Sequence, residues 1–308
     1  MMTIEIKKMA KIGTGVMGTN VIWGCAVNGI DVNLYDEKPG AVERSVKMLN
    51  SWFFDGNLSK VDAKAASARL HPCAGLEEAL TDVDLAFESV FEDLDVKKNI
   101  HEKIGRIAAS HVLQGTNASS LMCSPIAEAS GRPENFFNMN FTDPHSGEEL
   151  VEVMWNPKTS ESTRKAAVAF AKKIKMIPIV CNKELMGYAF NRIWRAVKKE
   201  ALYVANSGAA SPADIDRAWM LIFGTPHGPF GLMDRIGLDS VHKVEMRYYD
   251  DSGDERDKPP KILDDLLEKG DRGEKTGKGF YTWPNPAFKQ PEWLRKQGPW
   301  ADTDDAPD

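Results

Sequence analysis

Cysteine is scarce in this sequence, and long apolar runs and an excess of positive charge are absent. Only four cysteines occur among the 308 residues, widely spaced and without a CxxC pair. A disulfide framework and a zinc knuckle are therefore excluded, and we expect a protein of the reducing cytoplasm. No stretch of about 18 apolar residues is present, and the N-terminal segment meets Gly13 before an apolar run of signal-peptide length develops. We expect neither export by that route nor a membrane partner.

Net charge and chain length indicate which partners and how many domains to expect. The 39 basic and 45 acidic side chains leave a formal charge of -6, which disfavours a nucleic-acid partner. The chain has roughly twice the length of a typical domain, and its 42% of hydrophobic residues can supply two cores. We therefore expect two globular domains.

The order of predicted elements indicates an α/β protein with a helical second half. Predicted strands and helices alternate from residue 9 to 181, which is typical of a doubly wound, Rossmann-type parallel sheet covered on both faces. Beyond residue 182 long helical periodicities replace strand patterns. We predict a dinucleotide-binding domain over 1–184 and an all-α domain over 185–308, with a surface tail from about residue 284.

A glycine-rich turn follows the first predicted strand and opens a helix. Its glycines are Gly13, Gly15 and Gly18, and Asp36 ends the second predicted strand. Gly13 allows the tight turn, Gly15 lets the backbone approach a pyrophosphate, and Gly18 lets helix and strand pack closely. The pyrophosphate would lie over the helix N-terminus, which includes Val16 and Met17. An aspartate at position 36 accepts ribose hydroxyls and repels a 2′-phosphate, so we predict NAD rather than NADP, an inference that Lys38 nearby weakens slightly.

Five further blocks, in this order along the chain, resemble the 3-hydroxyacyl-CoA dehydrogenase family over nearly the whole length. They lie at 87–98, 116–121, 144–153, 187–192 and 273–281. The resemblance implies hydride transfer between NAD(H) and the 3-hydroxy or 3-oxo carbon of an acyl-CoA-type substrate. It also implies a homodimer whose interface includes the helix at 263–267.

The resemblance assigns roles to individual residues. Glu92 and Lys97 would lie beside the nicotinamide end of NAD, and Asn117 would belong to the same cofactor site. Ser119 and Asn191 would hold the reacting oxygen of the substrate. The remaining residue, Glu152, would orient a catalytic histidine.

Each of these roles has a purely structural alternative. Ser119 can cap a turn, and the Asn191 amide can bond to backbone within a helix. Glu152 lies in an apolar strand, where a carboxylate can point to solvent on the alternate face.

The chain departs from the family at the position of the catalytic histidine, twelve residues before the strand glutamate. Asn140 occupies that position. Oxidation of a secondary alcohol requires removal of the hydroxyl proton, and an asparagine amide cannot accept it at useful pH. Loss of the base should cost about two to four orders of magnitude in rate while leaving both pockets nearly intact.

Three explanations of Asn140 stay open on the sequence alone. The first is that Asn140 was introduced into an active enzyme to trap a bound state. The second is that the natural protein uses another base, with His145 and then Asp143 as candidates. The third explanation is a binding protein that holds NAD without catalysis.

The sequence specifies the substrate less closely than the type of reaction. In the family a helical hairpin after the second strand carries basic groups toward coenzyme A, and residues 39–70 are its equivalent here, with Lys47, Lys60, Lys64 and Arg69 available. The run 52–54, Trp-Phe-Phe, either stacks on a flat ligand or packs on the second domain. A small non-CoA hydroxy compound is therefore an alternative substrate. His227 and His242 lack ligand-spaced partners, so we predict no metal.

Overall fold

The computed structural model describes residues 4–56, 58–142, 149–290 and 292–295, and the chain divides into two compact units, 1–192 and 193–308. Eight strands occur in the described part of unit 1: β1 Lys8–Ile12, β2 Asp31–Tyr35, β3 Leu70–Pro72, β4 Leu85–Glu88, β5 Leu113–Asn117, β6 Phe136–Phe141, β7 Leu150–Trp155 and β8 Ile177–Cys181. The helices are α1 Val16–Val27, α2 Ala41–Asp55, α3 Lys60–Ala68, α4 Leu76–Ala79, α5 Leu94–Ile107, α6 Cys123–Ala129, α7 Glu161–Lys173, α8 Tyr188–Asn206, α9 Pro212–Phe223, α10 Pro229–Ile236, α11 Leu238–Ser252 and α12 Lys261–Glu268.

All eight strands form one sheet in the order β3-β2-β1-β4-β5-β6-β7-β8. Every neighbouring pair is parallel except β6 and β7, which are antiparallel. The expected alternation of strands with helices is therefore wrong between β6 and β7, because the connection at 142–149 is too short for the crossover helix that a parallel pair would need. The predicted Rossmann-type fold is confirmed. The strand order reverses at β1, and such a switch point opens a crevice at the carboxyl ends of β1 and β4.

Both faces of the sheet are covered by helices. One core, which includes Val21 and Phe170, joins α1, α2 and α7 to one face of the sheet, and a second, which includes Leu76 and Ile104, joins α4 and α5 to the other. Because both faces are covered, even polar residues of the central strands are buried, among them Lys11 on β1 and Gln114 on β5.

The hairpin after β2 contains the two expected helices, which break at Gly56. Phe53 is fully buried in the core of unit 1, with Trp52 packed against it, whereas Phe54 is 52% exposed. The Trp-Phe-Phe run thus packs first on its own domain, which neither sequence interpretation anticipated. The short elements β3 and α4 were not predicted either, because three or four residues carry almost no periodicity.

Unit 2 is organised around two buried aspartates. Asp216 accepts hydrogen bonds from the backbone N–H groups of Phe230 and Gly231 and from the Tyr281 hydroxyl, at 2.8, 2.8 and 2.9 Å. Asp234 accepts from the N–H groups of Phe280 and Tyr281, both at 2.9 Å. The segment around Tyr281 is thus tied to α9 and α10 by charge-assisted bonds.

Two expectations about unit 2 need revision. Leu263 is fully buried in the core of its own unit, so it cannot belong to the homodimer interface expected on that helix. Phe288 and Trp293, in the tail expected to lie on the surface, are buried in the same core.

Candidate active site

The glycine-rich turn adopts a conformation that only glycine tolerates at two of its positions. Gly13 has a φ of +88°, and a Cβ there would lie 2.6 Å from the carbonyl oxygen of Ser89. A Cβ on Gly18 would collide with the carbonyl oxygen of Gly13. A Cβ on Gly15 would instead point into open space, so the missing side chain leaves room above the turn rather than relieving a clash.

The N-terminus of α1 opens toward that space. Gly15 is its N-cap, makes no side-chain capping bond, and the first turn contains no acidic residue. Uncapped backbone N–H groups and the positive end of the helix dipole favour an anion at this position. The residues that begin the helix are Val16 and Met17, as predicted.

Asp36 connects the turn to the end of β2. Its Oδ2 accepts hydrogen bonds from the backbone N–H of Thr14 at 2.7 Å and from the Thr14 hydroxyl at 3.0 Å, and its Oδ1 accepts from the N–H of Lys38 at 2.9 Å. A carboxylate has about four acceptor positions, so ribose hydroxyls can still bind. A cavity of about 500 Å³ lies beside it, lined among others by Gly13, Asp36 and Lys103.

A second cavity of about 350 Å³ also borders the turn. It brings together predicted cofactor and catalytic residues from distant parts of the chain: Gly15, Val16, Met17, Gly18, Glu92, Asn117, Ser119 and Asn140. Ser89 lines both cavities, and its buried hydroxyl has no hydrogen-bond partner within the described ranges. A buried hydroxyl without a partner, an open turn and an uncapped helix N-terminus together fit a bound dinucleotide.

Glu92 holds the loop that carries Ser119. Its Oε1 accepts from the N–H groups of Ser119 and Ser120 at 2.8 and 2.9 Å, and from their hydroxyls at 3.4 and 3.1 Å. Its Oε2 lies 3.7 Å from Lys97 Nζ. Lys97 also donates to the carbonyl oxygen of Asn117 at 3.0 Å. Glu92, Lys97, Asn117 and Ser119 are therefore one connected cluster.

Behind this cluster lies a buried ionic network that the sequence interpretation missed. Glu88 accepts from Lys97 Nζ at 2.7 Å and from the Thr116 hydroxyl at 2.6 Å, and its Oε2 lies 3.4 Å from His101 Nε2. Burial raises the pKa of Glu88, but its contacts with His101 and Lys97 outweigh this and bring it to about 2. The available signal was a glutamate in a buried strand with a lysine and a histidine one turn apart on the following helix.

Asn140 and Glu152 face each other as register partners on β6 and β7. Asn140 Nδ2 donates to Glu152 Oε2 at 3.1 Å, and the backbone N–H of Phe190 donates to Glu152 Oε1 at 2.8 Å. Glu152 is fully buried, so its carboxylate does not point to solvent. The bond to Phe190 also anchors the start of α8. Asn191 lies in the first turn of that helix and is partly buried. His145 and Asp143, the alternative bases, lie outside the described residues.

The basic hairpin residues are not all available to a ligand. Arg69 donates to the carbonyl oxygen of Ala26 at 2.9 Å and so joins α3 to α1. In the described ranges, no helix is long and apolar enough to cross a membrane, and no cluster of three or more His, Cys, Asp or Glu side chains could hold a metal.

Comparison with known proteins covers both units. The model of the 3-hydroxyacyl-CoA dehydrogenase NAD-binding domain matches residues 8–185, and that of the C-terminal domain of the same family matches 187–283. The probable 3-hydroxybutyryl-CoA dehydrogenase of Deinococcus radiodurans is 30% identical over 283 residues, which cover 90% of this chain and 100% of that protein.

Two solved structures are similar along most of the chain. The (S)-3-hydroxybutyryl-CoA dehydrogenase PaaH1 from Ralstonia eutropha has a TM-score of 0.84 at 30% identity, covering 91% of this chain and 100% of that one. A diketoreductase described as acting on dicarbonyl compounds has a TM-score of 0.82 at 28% identity, covering 91% and 99%.

Proposed function

This chain belongs to the 3-hydroxyacyl-CoA dehydrogenase family, an NAD-dependent oxidoreductase family, and we propose that it transfers a hydride between NAD(H) and the 3-hydroxy or 3-oxo carbon of an acyl-CoA-type substrate. The observation that carries this proposal is the cavity of about 350 Å³ beside the glycine-rich turn. Residues that would hold a dinucleotide line it together with Ser119 and Asn140, so cofactor and substrate oxygen would meet there.

The residues of this cavity would bind and orient the reactants. Bound NAD supplies the hydride acceptor. Glu92 holds the backbone N–H of Ser119, and the Ser119 hydroxyl would give up its 3.4 Å contact with Glu92 to donate a hydrogen bond to the reacting oxygen of the substrate. Asn191, at the start of α8, would add a second donor. Glu152 would hold the side chain at position 140.

The proposed reaction needs a proton acceptor that position 140 of this chain does not supply. Oxidation removes a hydride from the carbon and a proton from its hydroxyl, and that proton needs an acceptor. Asn140 can hydrogen-bond the hydroxyl but cannot take its proton. We therefore propose that turnover in this chain is impaired by the absence of a histidine at position 140.

Two alternatives differ in their chemistry. A small hydroxy or dicarbonyl compound without coenzyme A is favoured by the Arg69 bond to Ala26, which engages one basic group of the hairpin, and by the similar diketoreductase. In that case His145 or another base would accept the proton. A protein that binds NAD without catalysis is the alternative of a different class.

A substrate screen separates these proposals. NADH oxidation is followed with 3-oxoacyl-CoA thioesters of increasing chain length and with the corresponding free 3-oxo acids, for the natural chain and for Asn140→His. Turnover with thioesters alone supports the acyl-CoA proposal, whereas turnover with free acids alone supports the small-substrate alternative. NADH binding without turnover by either protein supports the non-catalytic alternative.

We also propose a homodimer formed through unit 2 and a location in the cytoplasm. Three consecutive apolar residues at the end of α9 are exposed, Leu221, Ile222 and Phe223, at 59, 74 and 61%. Exposed apolar groups of this kind mark protein interfaces. The four cysteines are all free thiols, which is compatible with a reducing compartment.

A further inference from the structure

A lysine is completely buried beneath the glycine-rich turn. Lys11 lies on β1, two residues before Gly13, and its side chain has no exposed surface. A Cβ on Gly18 would lie 3.7 Å from Lys11 Cε, so the lysine stem runs under the first turn of α1. An apolar side chain would fill this position without the cost of burying an amine, so packing alone does not account for a lysine here.

The amino group has poor hydrogen bonds for a charged group. Within the described residues, Nζ donates to the carbonyl oxygens of Phe87 and Ile12, at 3.4 and 3.5 Å, and lies 5.2 Å from the centre of the Phe87 ring. An ammonium group has three N–H donors, and two long contacts do not satisfy them. Both carbonyls lie at the carboxyl ends of β1 and β4, the edge where the crevice opens.

Groups of both charge signs surround Lys11. The ionisable groups that act on it from the neighbouring elements are Glu88 on β4, Lys97 on α5, Cys25 on α1 and Asp36 after β2. Burial raises the pKa of the Cys25 thiol to about 12, so this thiol stays neutral. The positive end of the α1 dipole also opposes a cation at this position. Burial is the largest effect, and the pKa of Lys11 is lowered to about 7.

We propose that Lys11 stabilises the bound pyrophosphate of NAD(H) electrostatically from beneath the glycine-rich turn, and that it takes up a proton when the dinucleotide binds above it. The inference rests on the proposed NAD site. A pyrophosphate at the N-terminus of α1 would place two negative charges on the far side of the turn from Nζ and would offset the helix dipole. The low dielectric of the buried side chain strengthens this attraction. One proton passes from solvent to the Lys11 amine, and no covalent bond changes.

The coupling has a definite sign. Binding raises the pKa of Lys11, so affinity is highest where the amine is already protonated in the free protein, below about pH 7. Affinity then falls as pH rises, by at most about tenfold per pH unit for one coupled proton. Lys11→Met removes the charge at similar volume, so its affinity should be weaker below pH 7 and nearly independent of pH.

Calorimetric titration with NADH counts the protons taken up when it is repeated, at each pH, in two phosphate-free buffers that differ in their enthalpy of ionisation and both buffer at that pH. At about pH 8 we expect uptake of roughly half a proton or more in the natural chain, and close to none at about pH 6. Lys8→Met, three residues earlier on the same strand, is the matched control and should retain the uptake. Lys11→Met should lose it, and Lys11→Leu serves the same purpose if methionine packs poorly.

The outcomes distinguish this inference from the proposed function. If NADH binds the natural chain without proton uptake at either pH, or if Lys11→Met takes up as many protons as the natural chain, the role of Lys11 is refuted while the NAD site stands. If NADH fails to bind at any pH, the proposed function itself fails and the inference with it.

Discussion

At the scale of single residues, the proposed reaction depends on position 140. The amide of Asn140 donates to Glu152, which is fully buried and receives a second bond from the backbone of Phe190. A histidine at position 140 could donate a ring N–H to the same carboxylate, which would orient the ring and stabilise its protonated form. Glu152 could thus support a base at position 140, where this chain has an amide.

We predict that Asn140→His raises NADH-dependent turnover by at least about a hundredfold with little change in NADH affinity, because general-base catalysis typically contributes that much. Steady-state kinetics and fluorescence titration measure the two quantities. Asn140→Gln, which changes the side chain without adding a base, is the control. Glu152→Gln on the histidine background should remove much of the gain. An unchanged rate in Asn140→His would show that the proton leaves by another route.

Asp36 offers a second residue-scale test. Its carboxylate would bind the adenine ribose and repel a 2′-phosphate, so Asp36→Ala should lower the preference for NADH over NADPH by at least about tenfold. Fluorescence titration with both dinucleotides gives the ratio of dissociation constants. Glu37→Ala, which removes a neighbouring carboxylate of the same cavity, should leave the ratio nearly unchanged. Equal or tighter binding of NADPH by the natural chain would contradict the assignment.

At the scale of elements, β4, β5 and α5 are joined by the buried charges behind the site. Glu88 on β4 contacts Lys97 on α5 and Thr116 on β5, and Lys97 reaches Glu92 beside Ser119. A buried ion pair does little for net stability, but removing one partner leaves the other charge uncompensated. The stability of β4, β5 and α5 should therefore depend strongly on Glu88.

We predict that Glu88→Gln lowers the free energy of unfolding at pH 7 by about 3–5 kcal/mol, since Lys97 would keep a buried charge without its closest counter-ion. Urea denaturation measures it. The pKa of Glu88 is held at about 2, below its usual 4.5, so its contribution is present above pH 4.5 and is lost as pH falls toward 2. The variant should show less of this acid sensitivity. Glu102→Gln, in an exposed pair with Arg106 on α5, should change stability little at either pH.

At the scale of the whole molecule, unit 2 presents apolar surface that its own core does not use. Its core buries Leu263, Phe288 and Trp293, whereas the end of α9 stays exposed. A second copy of this chain is the proposed cover for that group.

We predict that the natural chain is a dimer at micromolar concentration and that Ile222→Glu shifts it toward a monomer, because a charge would have to be buried in the interface. Sedimentation velocity reports the assembly state. Val61→Glu, at an equally exposed apolar position of unit 1, should leave the dimer intact. A monomeric natural chain, or a dimer unaffected by Ile222→Glu, would refute this interface.

Local chemistry along the chain was sufficient to predict the dinucleotide turn. The spacing of Gly13, Gly15 and Gly18 between strand and helix expresses steric limits within a few residues, and the structure shows those limits at Gly13 and Gly18. The alternation of strands and helices likewise predicted the parallel sheet, because each element carries its own period.

What only the tertiary structure decided is which side chains are covered and which distant residues meet. Lys11 and Glu88 lie in short strands whose composition does not reveal that both faces are buried, so a lysine or glutamate there could equally face solvent. The bond between Asn140 and Glu152 follows from the antiparallel register of β6 and β7, and strand alternation alone gave no direction for that pair. A sequence records the preferences of each residue for its own backbone and solvent. Pairing and burial depend on the free energy of the assembled chain, to which residues far apart contribute together.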